Sequence, residues 1–225
     1  MSTGAPAAIA RLDELTRRLR RECPWDRQQD ERSIVPHTVE EAYELADAVH
    51  SGDDAKLLDE LGDVLFQVHF LALLLEERGA GDLAQVADHC VEKLIRRHPH
   101  VFAAVEVDGA EAVRRNWDEI KRTTEGRGAG GIFADVPANL PALSLAAKIL
   151  RRAGASAVAG EPRAAVSAGV ERLAGAADRE QRFDAVGDLL FALVRCARAL
   201  DVDPELALHH AANRYRDAVE SGAAP

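Results

Sequence analysis

Carboxylates crowd into two short stretches of this chain. The first, VEEAYELADAV over residues 39–49, puts Glu40, Glu41, Glu44 and Asp47 into two turns if helical. The second, LGDVLFQVHFLALLL over 61–75, is strongly apolar, yet it carries Asp63 inside it and Glu60 just before it. At about 100° per residue, Glu40, Glu44 and Asp47 fall within about 60° of one another, and Glu41 lies about 60° from Glu44. Glu60 and Asp63, three apart, share a face that Gln67 continues. Gly52 divides the two stretches evenly: Glu44 and Glu60 each lie eight residues from it, Glu41 and Asp63 each eleven. In an antiparallel helix pair, equal distance from the turn means equal height. Four carboxylates should therefore converge between helices about 8–10 Å apart. Burying such charges unpaired costs several kcal/mol each. A hard dication resolves the conflict, and all-oxygen ligands suit Mg²⁺, or Mn²⁺, better than Zn²⁺. Taken alone, an EExxE segment is also the pattern of a solvated helix face.

Two chemistries use such a cluster. A di-iron centre in a helical bundle needs Glu-x-x-His on paired helices. This chain has only Asp47-Ala48-Val49-His50 in that place, so that reading is disfavoured. Phosphate chemistry fits better, because Mg²⁺ bridges carboxylates and phosphate oxygens. It also needs cations. Lys93, Arg96 and Arg97 stand together, with Lys93 and Arg97 on one helical face, and Lys56 lies one turn before Glu60. A basic helix end also serves simply to offset the helix dipole. There is no Walker loop and no Gly-x-Gly-x-x-Gly to cradle phosphate with backbone.

The elements that must position these groups read as helices throughout. Expected spans are 6–22, 36–50 with Pro36 in its first turn, 54–78, 82–97, 110–123, 140–153, 162–175, 179–200 and 203–220. Cys23-Pro24 should end the first helix, since Pro24 restricts the residue before it. The apolar helix over 61–75 should be buried on several sides. Strand signals are almost absent. The GRGAGG run at 126–131 reads as a joint between two helical halves. Gly62-Asp63-Val64-Leu65-Phe66 reappears 125 residues later as Gly187-Asp188-Leu189-Leu190-Phe191, and the helix at Asp82–Arg97 is echoed by Asp203–Ala218 at an offset of 121. The second half reads as a worn copy of the first.

Composition bounds the rest. The hydrophobic fraction is 47%, charged residues are 29% and aromatics only 4%, which describes a folded, aliphatic, helix-favouring chain. A formal charge of −10 argues against a nucleic-acid polymer as partner. Three scattered cysteines suggest reduced thiols and a cytoplasmic setting. The N-terminus shows no signal pattern, and the longest apolar run is too short to span a bilayer.

Five strings now stand in order: Cys23-Pro24-Trp25-Asp26, Glu40-Glu41-x-x-Glu44, Glu60-Leu61-Gly62-Asp63, Arg96-Arg97-His98-Pro99-His100-Val101-Phe102 and Trp117-Asp118-Glu119-Ile120-Lys121. In that order and spacing the chain resembles the MazG nucleoside triphosphate pyrophosphohydrolases over roughly residues 9–125, and more weakly to its end, as a tandem member would. The resemblance implies an all-α MazG-like helical bundle of two tandem halves, a homodimer, and Mg²⁺-dependent hydrolysis of nucleoside triphosphates to the monophosphate and pyrophosphate. It places metal ligands on Glu41, Glu44, Glu60 and Asp63, with Glu40 as an additional or outer carboxylate. Phosphate-binding cations fall on Lys56, Lys93 and Arg97, and a base-contacting ring on Trp117, which could equally pack on a helix face. Trp25 is a further stacking candidate or a loop anchor. Glu41 or Glu44 is expected to orient or deprotonate the attacking water, and the sequence does not separate base from ligand. The expected domains are a catalytic one at 1–125, a linker at 126–139 and a degenerate copy at 140–225. In that copy Glu40, Glu41, Glu44 and Glu60 become Ala165, Val166, Gly169 and Ala185, and only Asp188 survives. Two alternatives stay open: a narrower hydrolase for dUTP or a damaged nucleotide, and a catalytically silent helical dimer that binds nucleotide or a regulatory partner.

Overall fold

Pro24 forces Cys23 into extended backbone, and helix α1, Ala5–Glu22, ends there with the Cys23 amide donating to the Leu19 carbonyl. In this computed structural model, residues 4–103, 105, 108–123, 131–134, 136–154 and 160–223 are described. A single 3₁₀ turn, Asp26–Gln28, follows α1 and buries Asp26. The next helix, α2, runs Glu31–Ser51, five residues earlier than expected. Asp30 is the reason. Its side chain accepts from the Ser33 amide while the Ser33 hydroxyl accepts from the Asp30 amide, a reciprocal cap. Pro36 therefore lies inside the helix, where it has no N–H to give the Arg32 carbonyl.

Gly52 closes α2 in the left-handed region, φ 69°, which glycine enters without penalty. Asp53 then caps α3, Asp54–Glu77, by accepting from the Ala55 and Lys56 amides. The two helices pack along each other as an antiparallel hairpin. Helix α1 lies on the C-terminal half of α3. Arg17 makes a two-pronged ion pair with Glu76, at 2.9 and 2.6 Å. Arg20 does the same with Glu77, at 2.9 and 2.8 Å. Arg20 also donates to the carbonyls of Asp26 and Gln29 and sits 5.9 Å from the Phe70 ring centre. One guanidinium thus ties α1, the 3₁₀ turn and α3 together. Beneath it Ile34, Phe70 and Leu74 form a core with Phe66 and Leu71 against it.

The apolar helix is buried on that half only. Leu61, Leu65 and Val68 are exposed, less burial than the expected several sides, because α1 covers α3 only toward its C-terminal end. Asp82 caps α4, Leu83–Arg97, which packs on α3. A short α5, Pro99–Phe102, and α6, Gly109–Thr123, follow.

The chain divides into two compact units, Met1–Trp117 and Asp118–Pro225. Residues 126–130 of the expected joint, and the side chains of Asp118 and Lys121, lie outside the described residues. The second unit contains α7, Ala142–Ala153; α8, Pro162–Gly175; α9, Arg179–Ala199; and α10, Pro204–Glu220. Its α8–α9 hairpin is the counterpart of α2–α3, and α7 packs on α9 as α1 does on α3. The fold is all-α: every regular element among the described residues is a helix. No described helix is long and apolar enough to cross a membrane.

Candidate metal centre

The α2–α3 hairpin brings one oxygen each from Glu41, Glu60 and Asp63 within 4.8 Å of one another. Glu41 is half-buried, Glu60 is only 8% exposed and Asp63 is exposed. Such a group has one buried anchor and one side open to solvent. Electrostatics report the register between the helices. Burial raises the Glu41 carboxyl above its ordinary range, and the next largest cause is the charge of Asp63, followed by Glu44, Glu60 and Glu40. Burial also raises Glu60, and there the strongest neighbouring charge is Glu44, with Lys56 opposing and Asp63 and Asp59 adding. The charge that presses hardest on Glu41 is Asp63 and the one that presses hardest on Glu60 is Glu44, in each case the counterpart at equal distance from Gly52.

A dication fits the residues present. Glu60 Oε2 is buried and has no hydrogen-bond partner among the described residues. A buried carboxylate oxygen without a donor is costly. Three convergent carboxylates are the donor set a hard cation takes. Glu44 is exposed and lies outside the trio, though its charge reaches both Glu41 and Glu60. Glu40 is further out: its Oε2 stands 3.6 Å from His37 Nδ1 on the same helix.

The cations divide. Lys56 is exposed and acts electrostatically on Glu60. Lys93 is half-buried on α4, one turn before Arg97. Arg97 is buried, with its guanidinium 5.9 Å from the centre of the Trp117 ring. Trp117 is half-buried and also meets the His98 ring at 5.8 Å, which in turn meets His100 at 5.6 Å. Both histidines stand in the Arg96–Phe102 string with no role assigned to either from sequence. Their spacing around Pro99, which starts a new helix, was the available signal. Trp25 is half exposed and stands edge-on to His37 at 6.0 Å.

The equivalent place in the second unit is closed. Gly169, at the position of Glu44, is buried so tightly that an added Cβ would meet Leu189 Cδ1 at 3.0 Å and its Cα at 3.4 Å. Ala185, at the position of Glu60, is buried. The surviving carboxylate, Asp188, has Arg172 at 3.6 Å.

Residues 29–102 match the MazG nucleotide pyrophosphohydrolase domain. The chain is 36% identical over 197 residues to the nucleoside triphosphate pyrophosphohydrolase/pyrophosphatase MazG of Thermotoga maritima, covering 86% of this chain and 76% of that one. It is also 36% identical over 223 residues to the nucleoside triphosphate pyrophosphohydrolase of Escherichia coli K12, covering 92% and 84%. Among solved structures it is similar to a mazG-related protein of Thermotoga maritima, at 29% identity and a TM-score of 0.45, over 50% of this chain and 98% of that one.

Proposed function

This chain belongs to the MazG family of nucleotide pyrophosphohydrolases, and from that premise we propose that it hydrolyses nucleoside triphosphates, ribo or deoxy, to the monophosphate and pyrophosphate with Mg²⁺. The observation that carries the reading is the meeting of Glu41, Glu60 and Asp63 within 4.8 Å around a buried, partnerless Glu60 oxygen. These three hold the cation. When bound, it supplies positive charge to phosphate oxygens and makes nearby water more acidic. Glu44, outside the trio but electrostatically coupled to it, orients the water and receives its proton. Attack at the α-phosphorus forms one P–O bond and breaks the bond to the bridging α–β oxygen, so the leaving group is pyrophosphate. Lys56, Lys93 and Arg97 counter the triphosphate charge, and Trp117 offers a ring for the base. Residues 140–225 are a degenerate copy that does no chemistry.

Glu60→Gln and Asp63→Asn are each expected to abolish pyrophosphate release in Mg²⁺ with the helical circular dichroism unchanged. Wild-type turnover in both would remove the assignment. The same assay run over ribonucleotides, deoxynucleotides, dUTP and oxidised nucleotides reads the preference. No release from any of them would leave only nucleotide binding.

A further inference from the structure

Gln67 continues the face of α3 that carries Glu60 and Asp63, and the reaction as described gives it no part. It is 7% exposed, and among the described residues its Oε1 has no hydrogen-bond partner. Buried polar atoms nearly always find a partner, and leaving one bare is costly. The hairpin register says where this amide stands. Counting outward from Gly52, Glu44 and Glu60 are level at eight residues, and Glu41 and Asp63 at eleven. His37 and Gln67 are level at fifteen, and Ile34 and Phe70 at eighteen. The outermost pair shares the buried core, so the register holds along the seam. The seam is therefore layered: two levels of carboxylate, one of neutral polar groups, then the apolar core. The neutral level lies one turn of α3, about 6 Å, beyond Asp63. Its other member is engaged elsewhere. His37 Nδ1 stands 3.6 Å from Glu40 Oε2, and its ring is edge-on to Trp25 at 6.0 Å.

The second unit supplies a comparison within the chain. At the 125-residue offset Gln67 becomes Ala192, which is buried. A hairpin of this pattern thus closes with a small apolar side chain at that place and does not need an amide to fold. The same copy has lost Glu40, Glu41, Glu44 and Glu60. The costly group is kept in the hairpin that keeps the acids and is gone from the one that lost them. That distribution ties the amide to the chemistry rather than to the packing.

Its partner is a part of the substrate, an inference that rests on the reaction proposed above. With the α-phosphate at the acids, the sugar comes next along the nucleotide, ahead of the base. A hydroxyl both donates and accepts, so it satisfies the amide in either orientation. Of the sugar hydroxyls, the 3′-hydroxyl is nearer the α-phosphate along the bonds, and ribo- and deoxynucleotides both carry it. We propose that Gln67 determines specificity for the sugar by hydrogen-bonding the 3′-hydroxyl of the nucleoside triphosphate. A site built around such a bond rejects the analogue that lacks the hydroxyl, because the buried amide is then left bare.

The test compares pyrophosphate release from the best substrate of the nucleotide panel with release from its 3′-deoxy counterpart. The wild type is expected to favour the hydroxylated substrate in kcat/KM by about tenfold or more. Gln67→Leu should bring that ratio near one, by losing rate on the hydroxylated substrate while keeping it on the 3′-deoxy analogue. It should also unfold at no lower urea concentration than the wild type, since an unpaired buried amide is removed. If leucine disturbs the helical signal, Gln67→Ala, which copies Ala192, should show the same collapse of the ratio. A wild type that turns over both substrates equally overturns the proposal and leaves the pyrophosphohydrolase reading standing. So does a tenfold preference that survives in both variants. No release from any nucleotide of the panel overturns the reaction itself, and this proposal with it.

Discussion

Glu60 sits in a place that disfavours charge, and that gives the metal-free protein a characteristic pH response. Its carboxyl and that of Glu41 are raised from 4.5 by burial and by neighbouring carboxylates. The folded state then binds these protons more tightly than the unfolded state does. Their contribution is fully favourable below the unfolded value of about 4.5 and is lost as pH rises through the higher folded values. In chelator, the melting temperature is therefore expected to fall as pH climbs above 4.5, and Mg²⁺ should lift it by more at pH 8 than at pH 5. Glu60→Gln removes the buried charge but keeps its shape. It should melt higher than wild type in chelator at pH 8, gain little from Mg²⁺ and release no pyrophosphate. Equal Mg²⁺ stabilisation of Glu60→Gln and wild type, followed by thermal melts, would show that the cation binds elsewhere. Glu76 works in the opposite sense. Its hydrogen bonds from Arg17 hold its carboxyl below 4.5, so its contribution is present above that value and lost as pH falls through the lower folded one. Glu76→Gln should lower the melting temperature above pH 5 by a roughly constant amount and flatten the acid limb, where that contribution is already lost.

At the level of elements, the site depends on a hairpin whose register is written in its turn. Gly52 and Asp53 end one helix and start the next within two residues, so counting outward from them was enough to align Glu41 with Asp63 and Glu44 with Glu60. That part was legible because helix rise is constant and the turn leaves no slack. The start of α2 was not, because Pro36 is a stronger textual signal than the Asp30–Ser33 cap that actually sets the boundary. Nor was the placement of α1, which rests on arginine forks to Glu76 and Glu77 far away in sequence. A pairing of that kind has no local period to read. The Arg20 guanidinium lies over Phe70, which is buried with Ile34 and Leu74. Phe70→Ala should cost about 3–5 kcal/mol of unfolding free energy, measured by urea denaturation. It should lower turnover mainly through the folded fraction, since Phe70 lies about two turns beyond Asp63 on α3 and packs with Ile34 and Leu74. Asp30→Ala, removing the reciprocal cap, should cost about 1 kcal/mol in the same assay.

Across the whole molecule, one chain carries two hairpins of common pattern, and among the described residues only the first gathers three carboxylates within 4.8 Å. Sequence offset alone exposed the loss of the acids, but not how completely the second place is shut. Gly169 against the Leu189 backbone leaves no volume for a carboxylate in the position of Glu44, and Arg172 supplies Asp188 with the positive charge a cation would otherwise provide. The two surviving aspartates, Asp63 and Asp188, stand at equivalent places in the repeat, so they make a controlled pair. Asp63→Asn should abolish Mn²⁺ binding, read by electron paramagnetic resonance of the bound ion, together with turnover. Asp188→Asn should leave both unchanged within error, and Arg172→Ala, which frees Asp188, should add no second class of Mn²⁺ site because one carboxylate does not hold the ion. Restoring Ala185→Glu alone should also fail, since Gly169 keeps α8 and α9 too close for the opposing ligand. A Mn²⁺ signal that survives Asp63→Asn but disappears with Asp188→Asn would reverse the assignment of the two halves.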